Sequence, residues 1–295
     1  AYNNGSMLAV KPENGDGDMT FSRNSAATRV NAQGLVENVQ ILSSNLVSNG
    51  DFSQEGSELV TNGDFATDSD WTLGTGWSIG DGKALYNGVS EPYLYNLNPV
   101  NIAVGDNLKI TFVLDSNAKL RFVNENGSRF SGTWVSYASG THEVYLTSSI
   151  VATQIGIQAD TDNGAFGITN ISVKEVGQDW VLGGSGLNTA TIGSNSATIT
   201  SVDGNSYIQQ NSVLTSGKSY KISYEILSSS GSSVLKMIID NQYRTIPTAV
   251  GTHTVYGTAT TTFLYIVSGT NGINATITNI SVIEITDDTN LPRIN

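Results

Sequence analysis

Apolar and polar residues in this chain mostly take turns. Tyr220, Ile222, Tyr224 and Ile226 are interleaved with Ser219, Lys221, Ser223 and Glu225. A period of two gives a strand one buried and one wet face. Leu108, Ile110, Phe112 and Leu114 repeat the pattern, with Val113 as an apolar residue on the other side. Leu120 and Phe122 alternate with Lys119 and Arg121, and Ile155 and Ile157 with Gln154 and Gly156. Turn signals part these runs at Asn126-Gly127, Asn163-Gly164, Asp203-Gly204 and Asn271-Gly272. No window carries a capped helical stripe. Short strands with frequent turns predict an all-β chain of β-sandwiches.

Internal repetition sets the number of modules. Gly140-Thr141-His142-Glu143-Val144-Tyr145 returns as Gly251-Thr252-His253-Thr254-Val255-Tyr256, and Ile168-Thr169-Asn170-Ile171-Ser172-Val173 as Ile277-Thr278-Asn279-Ile280-Ser281-Val282. Asp70-Trp71 returns as Asp179-Trp180. Two tandem jelly-roll modules are expected, at 58–176 and 177–286. A local duplication precedes them: Leu46 to Phe52 is echoed by Leu59 to Phe65, each holding an Asn-Gly-Asp-Phe unit. Residues 45–57 read as a linker and 287–295 as a C-terminal tail. Residues 1–44 read as an extended leader, with a hairpin where Thr28-Arg29-Val30 and Leu35-Val36-Glu37 flank a turn at 31–34. An isolated hairpin is marginal in water and needs a surface to dock on.

Composition narrows the function. Of 295 residues, 14 are Lys or Arg and 26 are Asp or Glu, a net charge of −12. This argues against binding nucleic acid, which needs a basic footprint. There is no Cys, and there are only 2 His, so neither thiolate metal sites nor Cys nucleophiles arise. No apolar run is long enough to insert in a membrane, and the sequence opens on no signal-peptide pattern.

Two resemblances supply more. Asn62-Gly63-Asp64-Phe65, Trp71, Trp77 and the closing strand Ile168 to Val173 resemble the frame of carbohydrate-binding jelly rolls of the family 4/9/22 type. The second module keeps Trp180 and the closing strand but lacks an Asn-Gly-Asp-Phe opening. The segment from Met19 to Asn31, with Phe21-Ser22-Arg23 and Ala27-Thr28-Arg29-Val30, followed by Gly34-Leu35-Val36-Glu37, resembles a segment of bacteriophage tail-fibre and adhesin-like virion proteins. Leu291 to Asn295 is similar to a link that follows in those proteins. Together they imply a non-enzymatic virion protein on the particle surface, a fibre or decoration. Its leader would bind other virion proteins, its oligomer would be a trimer as in phage fibres, and its modules would touch host glycans. The rival readings are a purely structural capsid or tail component without a ligand, and a secreted bacterial glycan-binding module.

The candidate residues follow from that chemistry. Sugars stack their apolar faces on aromatic rings. Trp134 and Tyr137, which have no clear counterpart in the second module, are the first candidates. Tyr93 and Tyr95, two apart on one strand face, and Tyr86 join them. Trp71 is assigned to the core because Trp180 repeats it, and the poorer second module reads as a spacer. His142 and His253, equivalent in the repeat, read as structural. Asp68, Asp70, Asp160 and Asp162 could suggest a glycosidase pair, but the second module lacks them and no catalytic residue is assigned. No cofactor is expected beyond a structural Ca²⁺ at Asp160 and Asp162, or at Glu13, Asp16 and Asp18. Thr169 and Thr278 stand where the related jelly rolls carry a ligand Asp.

Overall fold

A computed structural model of the protein describes residues 28–30, 36–38, 41–89, 93–130, 132–269 and 272–286. Every helix or strand among them is a β-strand. The leader contains β1 (Thr28–Val30), β2 (Val36–Asn38) and β3 (Ile41–Leu42). The first module contains β4 (Glu55–Glu58), β5 (Trp71–Leu73), β6 (Trp77–Gly80), β7 (Lys83–Tyr86), β8 (Tyr93–Asn96) and β9 (Asn107–Leu114). It continues with β10 (Ala118–Val123), β11 (Val135–Tyr137), β12 (Gly140–Thr147), β13 (Gly156–Ala159) and β14 (Phe166–Val176). The second contains β15 (Val181–Gly183), β16 (Thr189–Gly193), β17 (Ser196–Ser201), β18 (Tyr207–Gln210) and β19 (Ser219–Gly231). It ends with β20 (Leu235–Ile239), β21 (Gln242–Ile246), β22 (Gly251–Thr258), β23 (Leu264–Ser268) and β24 (Ile273–Thr286).

Each module is a jelly-roll sandwich with the same strand order. In the first, a five-stranded sheet β11-β10-β13-β8-β5 faces a sheet β12-β9-β14-β7-β6, with β4 added on β14. In the second, β21-β20-β23-β18-β15 faces β22-β19-β24-β17-β16. The pairings of β9 with β12 and β14, of β17 with β24 and of β19 with β22 are antiparallel. Between the sheets lie two cores, one around Leu108, Phe112 and Leu120, the other around Tyr220, Tyr224 and Ile266. The predicted alternations at 108–114, 120–122 and 220–226 supply these cores directly.

Contacts divide the chain into two compact units, Ala1–Ser44 with Glu284–Asn295, and Asn45–Ile283. In the former, the expected hairpin is present, with Thr28 opposite Asn38 and Val30 opposite Val36. There Leu42 and Ile41 also pair with Ile285 and Thr286. The Phe-Ser-Arg motif at 21–23, the candidate calcium residues Glu13, Asp16 and Asp18, and Asn271 of one turn signal lie outside the described residues.

The two Asn-Gly-Asp-Phe units do not stay together. The copy at 62–65 closes the first sandwich: Phe65 packs on Trp71 at 5.0 Å, and the Trp71 Nε1–H donates to the Asn62 carbonyl at 2.9 Å. The copy at 49–52 closes the second: Phe52 packs on Trp180 at 5.0 Å, and Trp180 Nε1–H donates to the Asn49 carbonyl at 3.0 Å. Asn96 binds both the N–H and the C=O of Thr61 through its side-chain amide, as Gln210 does for Ser48. Val47 and Phe52 belong to the second core. The second module therefore does have an Asn-Gly-Asp-Phe opening, set before the first module in sequence. Residues 45–52 are part of a sandwich rather than a connector, and the first sandwich is inserted into the second.

A left-handed asparagine marks each closure. Asn170 takes φ 53°, a left-handed conformation that Asn tolerates. The register of β14 on β9 shifts there. The shift frees the Ile171 N–H to donate to the Gly63 carbonyl at 2.9 Å. Asn279, also at φ 53°, does the same for Ile280 and Gly50. Both histidines sit as the repeat suggests: His142 Nε2 meets the Ala138 carbonyl at 2.7 Å, and His253 Nε2 the Ala249 carbonyl at 2.6 Å.

Candidate functional site

The outer face of the five-stranded sheet in the first sandwich gathers most of the candidates. On β8, Leu94 and Asn96 point into the core, so Tyr93 and Tyr95 point out. Their rings stack at 5.4 Å and 10°. The Tyr95 ring lies over Gly156 of β13 by its Cδ1–Cε1 edge, where any Cβ would overlap it. Tyr93 lies against Gly127 in the loop after β10. Burial, then Tyr93 and Glu125, pushes the Tyr95 hydroxyl up to about 12, so it remains a donor at neutral pH.

The next strands continue this surface. Register sets Tyr93 beside Gln158 and Gln158 beside Arg121. The Arg121 Nε–H donates to the Gln158 side-chain oxygen. Trp134 lies over the Arg121 guanidinium, 4.0 Å from ring centroid to Cζ, a cation–π contact that fixes the indole on the sheet. The surface from the tyrosine pair to Trp134 thus crosses two strand spacings, about 10 Å. It offers aromatic faces at both ends and the half-buried Arg121 guanidinium between, held from beneath by Gln158, which is itself fully buried.

Two sequence candidates do not belong to this face. Tyr86 is 2% exposed, packed between Trp77 at 5.4 Å and Phe166 at 5.3 Å. It shares strand parity with buried Ala84, so its ring points into the core and cannot meet a sugar. Tyr137 is opposite core residue Ala118. Its ring stands edge-on to Phe112 at 5.2 Å and to His142 at 5.0 Å, a rim contact of the core away from Trp134. Trp71 and Trp77 are also buried.

Arg121 and Gln158 were not singled out by sequence. Their signal was parity: Arg121 lies between core residues Leu120 and Phe122. Only the pairing of β10 with β13 shows that it meets Gln158.

The calcium candidates have other partners. The Asp160 carboxylate holds Lys119 Nζ at 2.7 Å and accepts the Asp162 N–H at 3.1 Å. A cation thus already stands at Asp160, supplied by the chain. Among the described residues no group of three or more His, Asp or Glu is placed to hold a metal ion. Lys119 first, then the Asp162 N–H, keeps the Asp160 carboxyl below the ordinary carboxylate value. A lowered native pKa stabilises above the unfolded pKa, and that contribution is lost as pH falls through the native value. We expect amide exchange at Asp162 and Asn163 to accelerate as pH drops below about 3.8. Asp160→Asn should exchange fast already at neutral pH and lose this dependence. An unchanged profile in the variant would remove the Lys119 pairing as the turn's support.

No protein-family model matches the chain, and no curated protein matches it. Among solved structures, the tandem CBM22-1–CBM22-2 domain of Xyn10C from Paenibacillus barcinonensis is similar over 80% of this chain and 98% of its own, at 12% identity and a TM-score of 0.31. Allantoicase from Saccharomyces cerevisiae is similar over 82% of this chain and 93% of its own, at 10% identity and a TM-score of 0.23. Scores this low carry no argument about activity or ligand.

Proposed function

We propose that the protein is a non-enzymatic glycan-binding protein that holds a sugar chain against the outer face of the first sandwich. The observation that carries this reading is the stacked Tyr93–Tyr95 pair, joined across Gln158 and Arg121 to Trp134. Ring faces match the C–H faces of pyranoses, while the Arg121 guanidinium matches their hydroxyls. An open sheet face, rather than a closed pocket, suits an extended polymer. The net charge of −12 favours neutral glycans over polyanions.

Display on a bacteriophage particle, through leader contacts with other virion proteins and in an oligomer such as a trimer, is supported by the sequence resemblance of residues 19–37 and 291–295. Many copies on a particle would turn weak sugar contacts into firm attachment. Immunogold microscopy with antibody to the sandwiches tests the location: label on particles supports it, and label confined to bacterial cells overturns it.

The binding claim is tested by affinity electrophoresis against xylan, β-glucan and mannan. At least one should retard the wild-type chain. Trp134→Ala and Tyr95→Ala should each weaken that retardation at least about tenfold, as central aromatic anchors do, with thermal melts unchanged. Retardation that survives both changes would place binding elsewhere.

A further inference from the structure

The second sandwich, read from sequence as a spacer, carries its own aromatic face. Tyr207 of β18, Tyr265 of β23 and Tyr243 of β21 all point out from the five-stranded sheet, on parity opposite to the buried Ile208, Ile266 and Ile246. Tyr207 lies flat over Gly183, whose missing Cβ makes room for the ring. Tyr207 and Tyr265 are 4.9 Å apart, and Tyr243 stands edge-on to Tyr265 at 6.4 Å. A recess of about 300 Å³ beside Tyr243 and Tyr265 is lined also by Asn205, Lys236 and Ser268. Lys236 occupies in β20 the register position that Arg121 occupies in β10: one faces Val267, the other Gln158.

Hydroxyl partners separate this face from the core. The Tyr220 hydroxyl accepts the Thr215 N–H at 2.8 Å, and the Tyr224 hydroxyl donates to the Pro247 carbonyl at 2.9 Å. The hydroxyls of Tyr207, Tyr243 and Tyr265 have no protein hydrogen-bond partner among the described residues, and Lys236 has no carboxylate there. Burial, then Tyr243 and Tyr207, raises the Tyr265 hydroxyl above its ordinary value, so it stays protonated and can donate. A protein partner would have to desolvate three hydroxyls and an ammonium on one small patch. A sugar answers each of them with a hydroxyl and offers the rings its C–H face.

We infer that this face is a second glycan site, which seats a neutral pyranose on Tyr265, with Lys236, Asn205 and the Tyr243 hydroxyl reading its hydroxyl groups. The inference rests on the glycan-binding reading of the first sandwich and extends it to two sites per chain. Two sites on one chain raise the apparent affinity for a polymer above that for an oligomer.

The test is calorimetric titration of the full chain with xylohexaose, cellohexaose and mannohexaose. The wild-type chain should bind one of these with two per chain. Trp134→Ala and Tyr265→Ala should each leave one, and the double variant none. Tyr243→Ala, at a residue 60% exposed, should weaken the second site about five- to tenfold. One per chain in the wild type, lost on Trp134→Ala and untouched by Tyr265→Ala and Tyr243→Ala, overturns the second site and leaves the first. One per chain, lost on Tyr265→Ala and untouched by Trp134→Ala, overturns the first platform and leaves this face. No binding of any of the three overturns both. A dimer in sedimentation that Tyr243→Ala dissolves would make a second copy of the chain the occupant, and overturn the sugar.

Discussion

A chain that begins at residue 58 should fold its first sandwich and leave its second open, although all of 177–286 is present. The second core needs Val47 and Phe52 from the far side of the inserted sandwich. Phe52 is 2% exposed, and truncating such a side chain to Ala costs about 3–5 kcal/mol. Losing the whole segment also strands the Trp180 indole N–H, the Gln210 amide and the Ile280 N–H, whose partners are Asn49, Ser48 and Gly50. Each buried polar group left unpaired costs about 1–3 kcal/mol. Against a domain stability of about 5–15 kcal/mol, the sum removes the fold. Amide exchange reads it: β17 to β24 should lose protection in the 58–286 chain and keep it in a 45–286 chain, while β7 to β14 are protected in both. In the intact chain, Phe52→Ala alone should lower the second transition and leave the first. Equal protection of β17 to β24 in both truncations would refute the nested arrangement.

Gly63→Ala should be the most damaging single-methyl change in the first sandwich. A Cβ there would overlap the Ile171 carbonyl oxygen, which belongs to the backbone and cannot rotate away. Relief requires moving β14 off the Asn-Gly-Asp-Phe unit. That breaks the bond from the Ile171 N–H to the Gly63 carbonyl and pulls the Asn62 carbonyl from the Trp71 indole. Overpacking of about 1–3 kcal/mol with a hydrogen bond of about 0.5–1.5 kcal/mol predicts a loss of about 2–4 kcal/mol. Gly80 has nothing within 4 Å of the same methyl position, so Gly80→Ala is the control and should be near neutral. The midpoint of urea unfolding followed at the first sandwich decides between them. Equal midpoints would mean that the closure at Gly63 holds nothing.

Much of the fold was legible because it is written locally. The alternation at 219–226 becomes the inner and outer faces of β19, and the repeated closing strands become β14 and β24. What was not legible is which Asn-Gly-Asp-Phe unit serves which sandwich. The two units lie 13 residues apart and look alike, and nothing within either tells it that Trp71 or Trp180 is its partner. The site divides the same way. Tyr93 and Tyr95 were readable as one face because they share a strand. Tyr86 was misplaced because its parity is set by the β7 core contacts of Ala84, not by its distance from other aromatics. Tyr207, Tyr243 and Tyr265 come one to a strand, and only sheet order joins β18, β23 and β21. A usable hint was Tyr265 itself, a large ring on the wet parity between Leu264 and Ile266.

Each sandwich also begins and finishes at a single spot. The Leu46 N–H donates to the Val282 carbonyl at 2.9 Å, and the Leu59 N–H to the Val173 carbonyl at 2.8 Å. Tension pulling those ends apart would break their hydrogen bonds in succession, as in peeling tape, instead of shearing a whole ladder at once. Because one sandwich interrupts the other, a tug from the N-terminal side meets 45–52 first and reaches β4 only after that segment has come away. The outer sandwich would act as a fuse, giving way early under load and sparing the inner one.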